Sequence, residues 1–184
     1  MYFIYALVSL IAATVSAIPV TSGHPSGHDY TPLTHVIEVG KNGLTYTPPF
    51  ITAQPGDWIQ LNFFSKNHTL VQSSFANPCE PLTNGIFAGF HPTNVTKDTT
   101  GFVTFETVKF QVFTDAPLWF YCAQANHCQT GMTFAINPGP GSVDKFNQVA
   151  STKAKNIAPS GEPMGVLAGL EERFIENTPE QIPE

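Results

Sequence analysis

A thiol, an imidazole and a thioether follow one another at even spacing in a single short stretch, Tyr121-Cys122-Ala123-Gln124-Ala125-Asn126-His127-Cys128-Gln129-Thr130-Gly131-Met132, with four residues between Cys122 and His127 and four between His127 and Met132. A thiolate is a soft donor, an imidazole a borderline one and a thioether a weak one. Such a set suits one copper ion that cycles between two oxidation states, because copper(I) favours thiolate and copper(II) favours nitrogen. A second imidazole must come from upstream, and His68, in Lys66-Asn67-His68-Thr69-Leu70, is the best candidate. The candidate metal ligands are therefore His68, Cys122, His127 and Met132.

Zinc is the competing ion, since it also accepts thiolate and imidazole. It gains little from a thioether, so Met132 argues for copper. Four protein donors leave no open position for oxygen or a substrate, which favours electron transfer over turnover. No nucleophile–base pair and no paired acids stand at meaningful spacing elsewhere, and the expectation is a protein that is not an enzyme.

These ligands need rigid elements to hold them. Alternation at Thr34–Val39, a strongly apolar run at Trp58–Phe64, an aromatic run at Leu118–Tyr121 and strand-forming residues at His68–Phe75, Gly101–Glu106, Val108–Phe113 and Thr133–Ile136 predict strands, with a further short run at Phe50–Ala53. Residues 76–100, rich in Asn, Pro, Thr and Gly, read as a long loop. Seven or eight short strands separated by turns predict an all-β sandwich, with the ligand loop between its last two strands. Beyond Gly141 the pattern changes. Ser142 stands as N-cap of a short helix reaching about Lys153, with Val143, Phe146 and Val149 at helical spacing. A weaker helical patch spans Met164–Phe174, and a solvated tail is the competing reading of residues 155–184.

Composition bounds the class. Charged residues make up 12% of the 184-residue chain, against roughly 25% in an ordinary domain. Aromatics reach 12%, with 16 prolines and 14 glycines, as in a β-rich extracellular domain. A net charge of −6 with no basic cluster argues against nucleic acid as a partner. Residues Tyr2–Val15 are almost wholly apolar, and Val15-Ser16-Ala17 supplies the small residues of a leader cleaved after Ala17, although no Lys or Arg precedes the run. The run is too short to favour a membrane span. The alternative is a retained apolar arm. The expected organisation is a leader at 1–17, a flexible segment at 18–33, one domain at 34–139 and an extension at 140–184 without a lipid-anchor signal.

Secretion alters the reading of the three cysteines, Cys79, Cys122 and Cys128. An odd count in an oxidising compartment leaves one thiol over unless it binds a metal or another chain. If Cys122 binds metal, Cys79 and Cys128 are left to pair. A cross-link closing a loop of about 50 residues removes roughly 4 kcal/mol of unfolded-chain entropy.

The residues Phe120-Tyr121-Cys122, Asn126-His127-Cys128-Gln129-Thr130-Gly131-Met132 and Asn67-His68-Thr69 resemble the cupredoxins, most nearly the secreted phytocyanin-like branch and its fungal relatives. Val39-Gly40-Lys41-Asn42-Gly43-Leu44, with Gly56-Asp57 after it, and Phe134-Ala135-Ile136-Asn137-Pro138 are similar to the fungal members. The resemblance covers about residues 33–139. It implies a Greek-key sandwich, one blue (type 1) copper held by His68, Cys122, His127 and Met132, a Cys79–Cys128 disulfide and one-electron transfer to an unidentified protein or small reductant. A cell-wall or surface module with optional copper, and a copper buffering or uptake protein, are the alternatives.

The remaining residues carry plainer expectations. His35 and His91 read as structural, and His24 and His28 as solvated. Trp119, Phe120 and Tyr121 read as core. Asn67-His68-Thr69 and Asn94-Val95-Thr96 match the N-glycosylation pattern. A glycan on Asn67 would compete with the metal site for space, which leaves Asn94 as the better acceptor.

Overall fold

The computed structural model describes residues 30–64, 66–93, 96–97 and 102–175. The candidate leader, most of 18–33, His24, His28, Asn94 and residues 176–184 lie outside them. Strand alternation starts the argument. In β1 (Thr34–Val39) and β4 (Trp58–Phe63), Ile37, Val39, Ile59, Leu61 and Phe63 are fully buried at every second position. Parallel pairing sets these rows side by side, Ile37 opposite Leu61 and Val39 opposite Phe63. Val108 and Phe110 of β8 (Phe102–Gln111) continue the face through antiparallel pairing with β4.

A second sheet supplies the other half of the core. It runs β3 (Phe50–Ile51), β10 (Thr133–Ile136), β9 (Leu118–Tyr121), β5 (Lys66–Ser73), β6 (Phe87–Thr93). Leu70, Ala88, Phe120, Phe134 and Ile136 from this sheet pack in one cluster with the β1, β4 and β8 residues. The first sheet runs β11 (Leu167–Ile175), β8, β4, β1, β2 (Tyr46–Thr47), with β7 (Thr96–Lys97) paired to β8. Two mixed sheets over one core make the expected β-sandwich.

Eleven strands appear among the described residues, against the seven or eight expected. β2, β3 and β7 have only two residues each. The two strands read between Gly101 and Phe113 are the single β8. β6 lies inside the stretch read as loop. Gly89 and Pro92 are poor strand formers, but β6 is an edge strand of its sheet, where proline is tolerated, and its pairing with β5 overrides propensity. β11 occupies the stretch read as a helical patch or a tail. Leu-Glu-Glu-Arg favours helix in isolation, yet here it pairs with β8 from Leu167 opposite Lys109 to Ile175 opposite Phe102.

The expected helix is α1 (Ser142–Ser151). Its N-cap is Gly141, at φ 68°, and not Ser142, whose hydroxyl donates to the Gly139 carbonyl. Phe146 and Ala150 form its buried face, whereas Val149 is largely exposed. The helix lies against the second sheet through Trp119, whose ring centroid is 4.8 Å from that of Phe146.

His35 is structural, as expected, with Nε2 2.9 Å from Oδ2 of the buried Asp57. His91 is tied between the Glu106 carboxylate and the Ala88 carbonyl and stacks on Phe63 at 4.0 Å.

Candidate metal centre

β9 and β10 pair with Tyr121 opposite Thr133, so the intervening residues 122–132 must close as a compact loop at one end of the second sheet. Its own backbone bonds fix it. The Cys122 amide donates to the Met132 carbonyl at 3.0 Å, the His127 amide to Gln124 at 2.9 Å, and the Met132 amide to His127 at 2.9 Å. A disulfide joins Cys128 to Cys79, with Cα atoms 5.7 Å apart. Cys122 is left as the unpaired cysteine.

On the other side of β9, β5 pairs with Val71 opposite Tyr121. Alternation along β5 points His68 and Leu70 to the same inner face, so His68 arrives beside the loop. One ligand atom each from His68, Cys122 and His127 lie within 4.8 Å of one another. The Cys122 sulfur is 3.3 Å from Nδ1 of His127 and 4.0 Å from Nδ1 of His68. The two imidazoles sit 5.2 Å apart, tilted by 42°. His68 is 1% exposed and Cys122 0%, while His127 is only half-buried.

The donor set fits a single soft-to-borderline cation. With metal–sulfur and metal–nitrogen bonds of about 2.3 and 2.0 Å, a trigonal or tetrahedral ion separates S and N by about 3.5–3.8 Å. The observed separations bracket that range. Both histidines present the same ring nitrogen, Nδ1, toward the sulfur. Met132 is fully buried and shares the apolar cluster that contains Cys122 and Phe134. The structure thus gathers His68, Cys122 and His127 and places Met132 in the core at the loop's end.

Burial dominates the electrostatics. It pushes the Cys122 thiol up from 9.0 to about 11, against the opposing pull of the Gln124 and Thr69 backbone amides on the sulfur. A cation between the ligands would invert this balance, because a coordinated thiol is deprotonated outright. Burial also lowers His127 below its ordinary range, with a smaller contribution from the Lys66 ammonium.

Two supporting contacts were not legible as site features. Gly40, at φ 81°, lies against the His68 ring, where a Cβ would come within 2.3 Å of Nε2. In sequence it reads as part of the Gly40-Lys41-Asn42-Gly43 turn and of a segment similar to the fungal cupredoxins, with no sign that it touches a ligand. The Asn67 side-chain amide donates to Oε1 of Gln124 at 3.0 Å, tying β5 to the ligand loop. That nitrogen is the one a glycan would occupy, which adds to the objection against Asn67 as an acceptor.

No family model matches the chain. It is 27% identical over 127 residues to a probable GPI-anchored cupredoxin-1 of Arthroderma benhamiae, a match covering 68% of this chain and 62% of that protein. It is 32% identical over 135 residues to an extracellular serine-rich protein of the same organism, covering 72% of this chain and 49% of that one. The chain thus spans between about half and two thirds of the length of these curated relatives. Among solved structures, it is similar to a pseudoazurin of Hyphomicrobium denitrificans, at 19% identity, TM-score 0.39, and coverage of 67% of this chain and 87% of that one. An auracyanin of Roseiflexus castenholzii matches at 16% identity, TM-score 0.38, and coverage of 60% and 98%. A mutant plastocyanin of fern matches at 17% identity, TM-score 0.37, and coverage of 55% and 97%. A β-sandwich that brings His68, Cys122 and His127 together, in a chain similar in sequence to a probable cupredoxin, upholds the resemblance to cupredoxins carried by the ligand motif.

Proposed function

We propose that this protein holds one copper ion in a type 1 site and passes single electrons outside the cell. The observation that carries the reading is the convergence of the His68, Cys122 and His127 ligand atoms within 4.8 Å, at a loop whose last residue, Met132, is buried in the same apolar cluster as Cys122. Bound copper supplies a one-electron couple that one mixed sulfur–nitrogen donor set accommodates in both states.

The chain's own contribution is to keep that donor set still. The Gly40 backbone backs the His68 ring, and the Asn67–Gln124 bond holds β5 against the ligand loop. The Gln124 and Thr69 amides orient the Cys122 sulfur, and the apolar core excludes water from it. His127 is the one imidazole of the pair with an exposed edge, which makes it the exchange point with a partner protein or small reductant.

The words "GPI-anchored" and "extracellular" in the names of the two fungal relatives support a place outside the cell, secreted or associated with the wall. Among the described residues no helix is long and apolar enough to cross a membrane. The second reading is an extracellular module in which copper is optional, or a protein that buffers it; the serine-rich relative's name supports only the extracellular part.

One titration separates these readings. Residues 18–184 receive one equivalent of copper(II), and the visible spectrum is recorded before and after ascorbate. An intense sulfur-to-copper band that bleaches on reduction and is absent from Cys122→Ala supports electron transfer. A folded protein that takes up copper without the band, or takes up none, overturns it in favour of storage or a surface module.

A further inference from the structure

Residues 142–158, between β10 and β11, reach back to the ligand loop or its immediate attachments at three separate points. Each point is next to a different loop ligand. Beside Met132, the Thr133 hydroxyl donates to Oδ1 of Asn147 at 2.5 Å. Beside His127, Cys128 is bonded to Cys79, whose carbonyl accepts the Ile157 amide at 2.9 Å. At Cys122 itself, the Asn156 side-chain amide donates to the backbone carbonyl at 3.4 Å, and the neighbouring Tyr121 hydroxyl donates to the Ile157 carbonyl. The Lys153–Glu80 ion pair, at 2.8 Å, fastens the same segment next to Cys79.

We propose that residues 142–158 position the metal ligands, with Asn156 and Tyr121 as the residues through which this segment fixes the Cys122 backbone. A segment that only covered apolar surface would need Phe146 and Ala150 against Trp119 and the disulfide, and nothing more. Here polar groups from the segment also bond to Thr133, which follows Met132, to Cys122 itself, and to Cys79, the disulfide partner of Cys128 next to His127. Tyr121 is fully buried, so its hydroxyl needs the Ile157 carbonyl as a partner. The Cys122 amide is already bonded to Met132. A donor on the Cys122 carbonyl therefore holds the second end of the same residue. The consequence for copper rests on the reading above; the rigidity of Cys122 does not, and can be measured without metal.

Cys122 is the unpaired cysteine in a chain of three, so its labelling reports on this site alone. The test compares wild type, Asn156→Asp, Tyr121→Phe and Val143→Ala in the metal-free protein, well below each melting temperature. Val143 packs with Trp119 and Phe146 and bonds to no neighbour of a ligand, so it controls for loss of packing. The rate of reaction with 5,5′-dithiobis(2-nitrobenzoate) should rise about fivefold or more in Asn156→Asp and Tyr121→Phe, the effect of one lost hydrogen bond on local opening. Val143→Ala should lower the melting temperature with little change in that rate. With copper(II) bound, Asn156→Asp and Tyr121→Phe should also shift the energy of the sulfur-to-copper band, and Val143→Ala should not. Unchanged labelling in both folded variants, or equal acceleration in all three, overturns the proposal. If Tyr121→Phe does not fold, Asn156→Asp decides alone. A wild type without the band leaves the labelling comparison intact and counts only against the copper reading.

Discussion

Gly40 and His68 are in such close apposition that a Cβ at position 40 would lie 2.3 Å from the imidazole Nε2 and 2.5 Å from Cδ2. The backbone of a surface turn thereby forms the wall against which a buried candidate ligand is set. Gly40 also holds φ 81°, where a side chain is strained whatever the space. Both effects act in one direction. Gly40→Ala should destabilise the metal-free protein by about 1–3 kcal/mol and displace His68, weakening copper binding at least tenfold. Thermal melts and competitive copper titration check it; unchanged affinity would mean that His68 is not held by this wall.

Met132 separates axial ligation from simple core filling. It is fully buried, so Met132→Ala should cost about 2–5 kcal/mol through the cavity alone. Met132→Leu keeps the volume and should cost less than about 1.5 kcal/mol. If the thioether is a weak fourth donor, its loss disfavours the oxidised ion more than the reduced one. The reduction potential of the Leu variant should then rise while the sulfur-to-copper band persists. Voltammetry showing no change in potential would assign Met132 to packing only.

The thiol gives a pH dependence whose sign follows from burial. Its folded value, about 11, lies above its ordinary 9.0. The metal-free folded state therefore binds more protons than the unfolded chain above pH 9. The stability contributed by the neutral thiol is full below that pH and is lost as pH rises through about 11. Urea midpoints measured from pH 8 to 11 should fall more steeply for wild type than for Cys122→Ala. Copper binding at neutral pH must instead displace the thiol proton. Calorimetry in buffers of different ionisation enthalpy should report about one proton released per ion bound.

The Cys79–Cys128 bond closes a loop with a sequence separation of 49 and ends one residue from His127. Removing it in Cys79→Ala/Cys128→Ala should cost about 4 kcal/mol by the loop-entropy estimate. Because the same bond carries the hold of residues 142–158 on His127, copper dissociation from the double variant should also be faster. A lowered melting temperature with an unchanged dissociation rate would limit the disulfide to stability.

Much of this molecule was legible in the linear order of its residues. Donor softness and spacing pointed to Cys122, His127 and Met132, because a loop between two paired strands keeps residues that are near in sequence near in space. Alternating side chains in Thr34–Val39 and the short apolar runs at Trp58–Phe63 and Thr133–Ile136 disclosed a sandwich, although Thr133–Ile136 is buried on both faces in the folded chain. The odd cysteine count pointed to the disulfide. What only the tertiary structure decided were contacts between distant segments. His68 was a candidate from its sequence context and the resemblance alone, and only the pairing of β5 with β9 set it 4.0 Å from the Cys122 sulfur. Gly40 was a turn residue until that turn closed on His68. β6 and β11 defied their local propensities, because edge pairing with β5 and β8 outweighs the few tenths of a kcal/mol per residue that propensity supplies. Asn156 carried no signal at all. Its role depends on a chain reversal that brings it to the Cys122 carbonyl, 34 positions earlier, and no periodicity or composition encodes such a meeting.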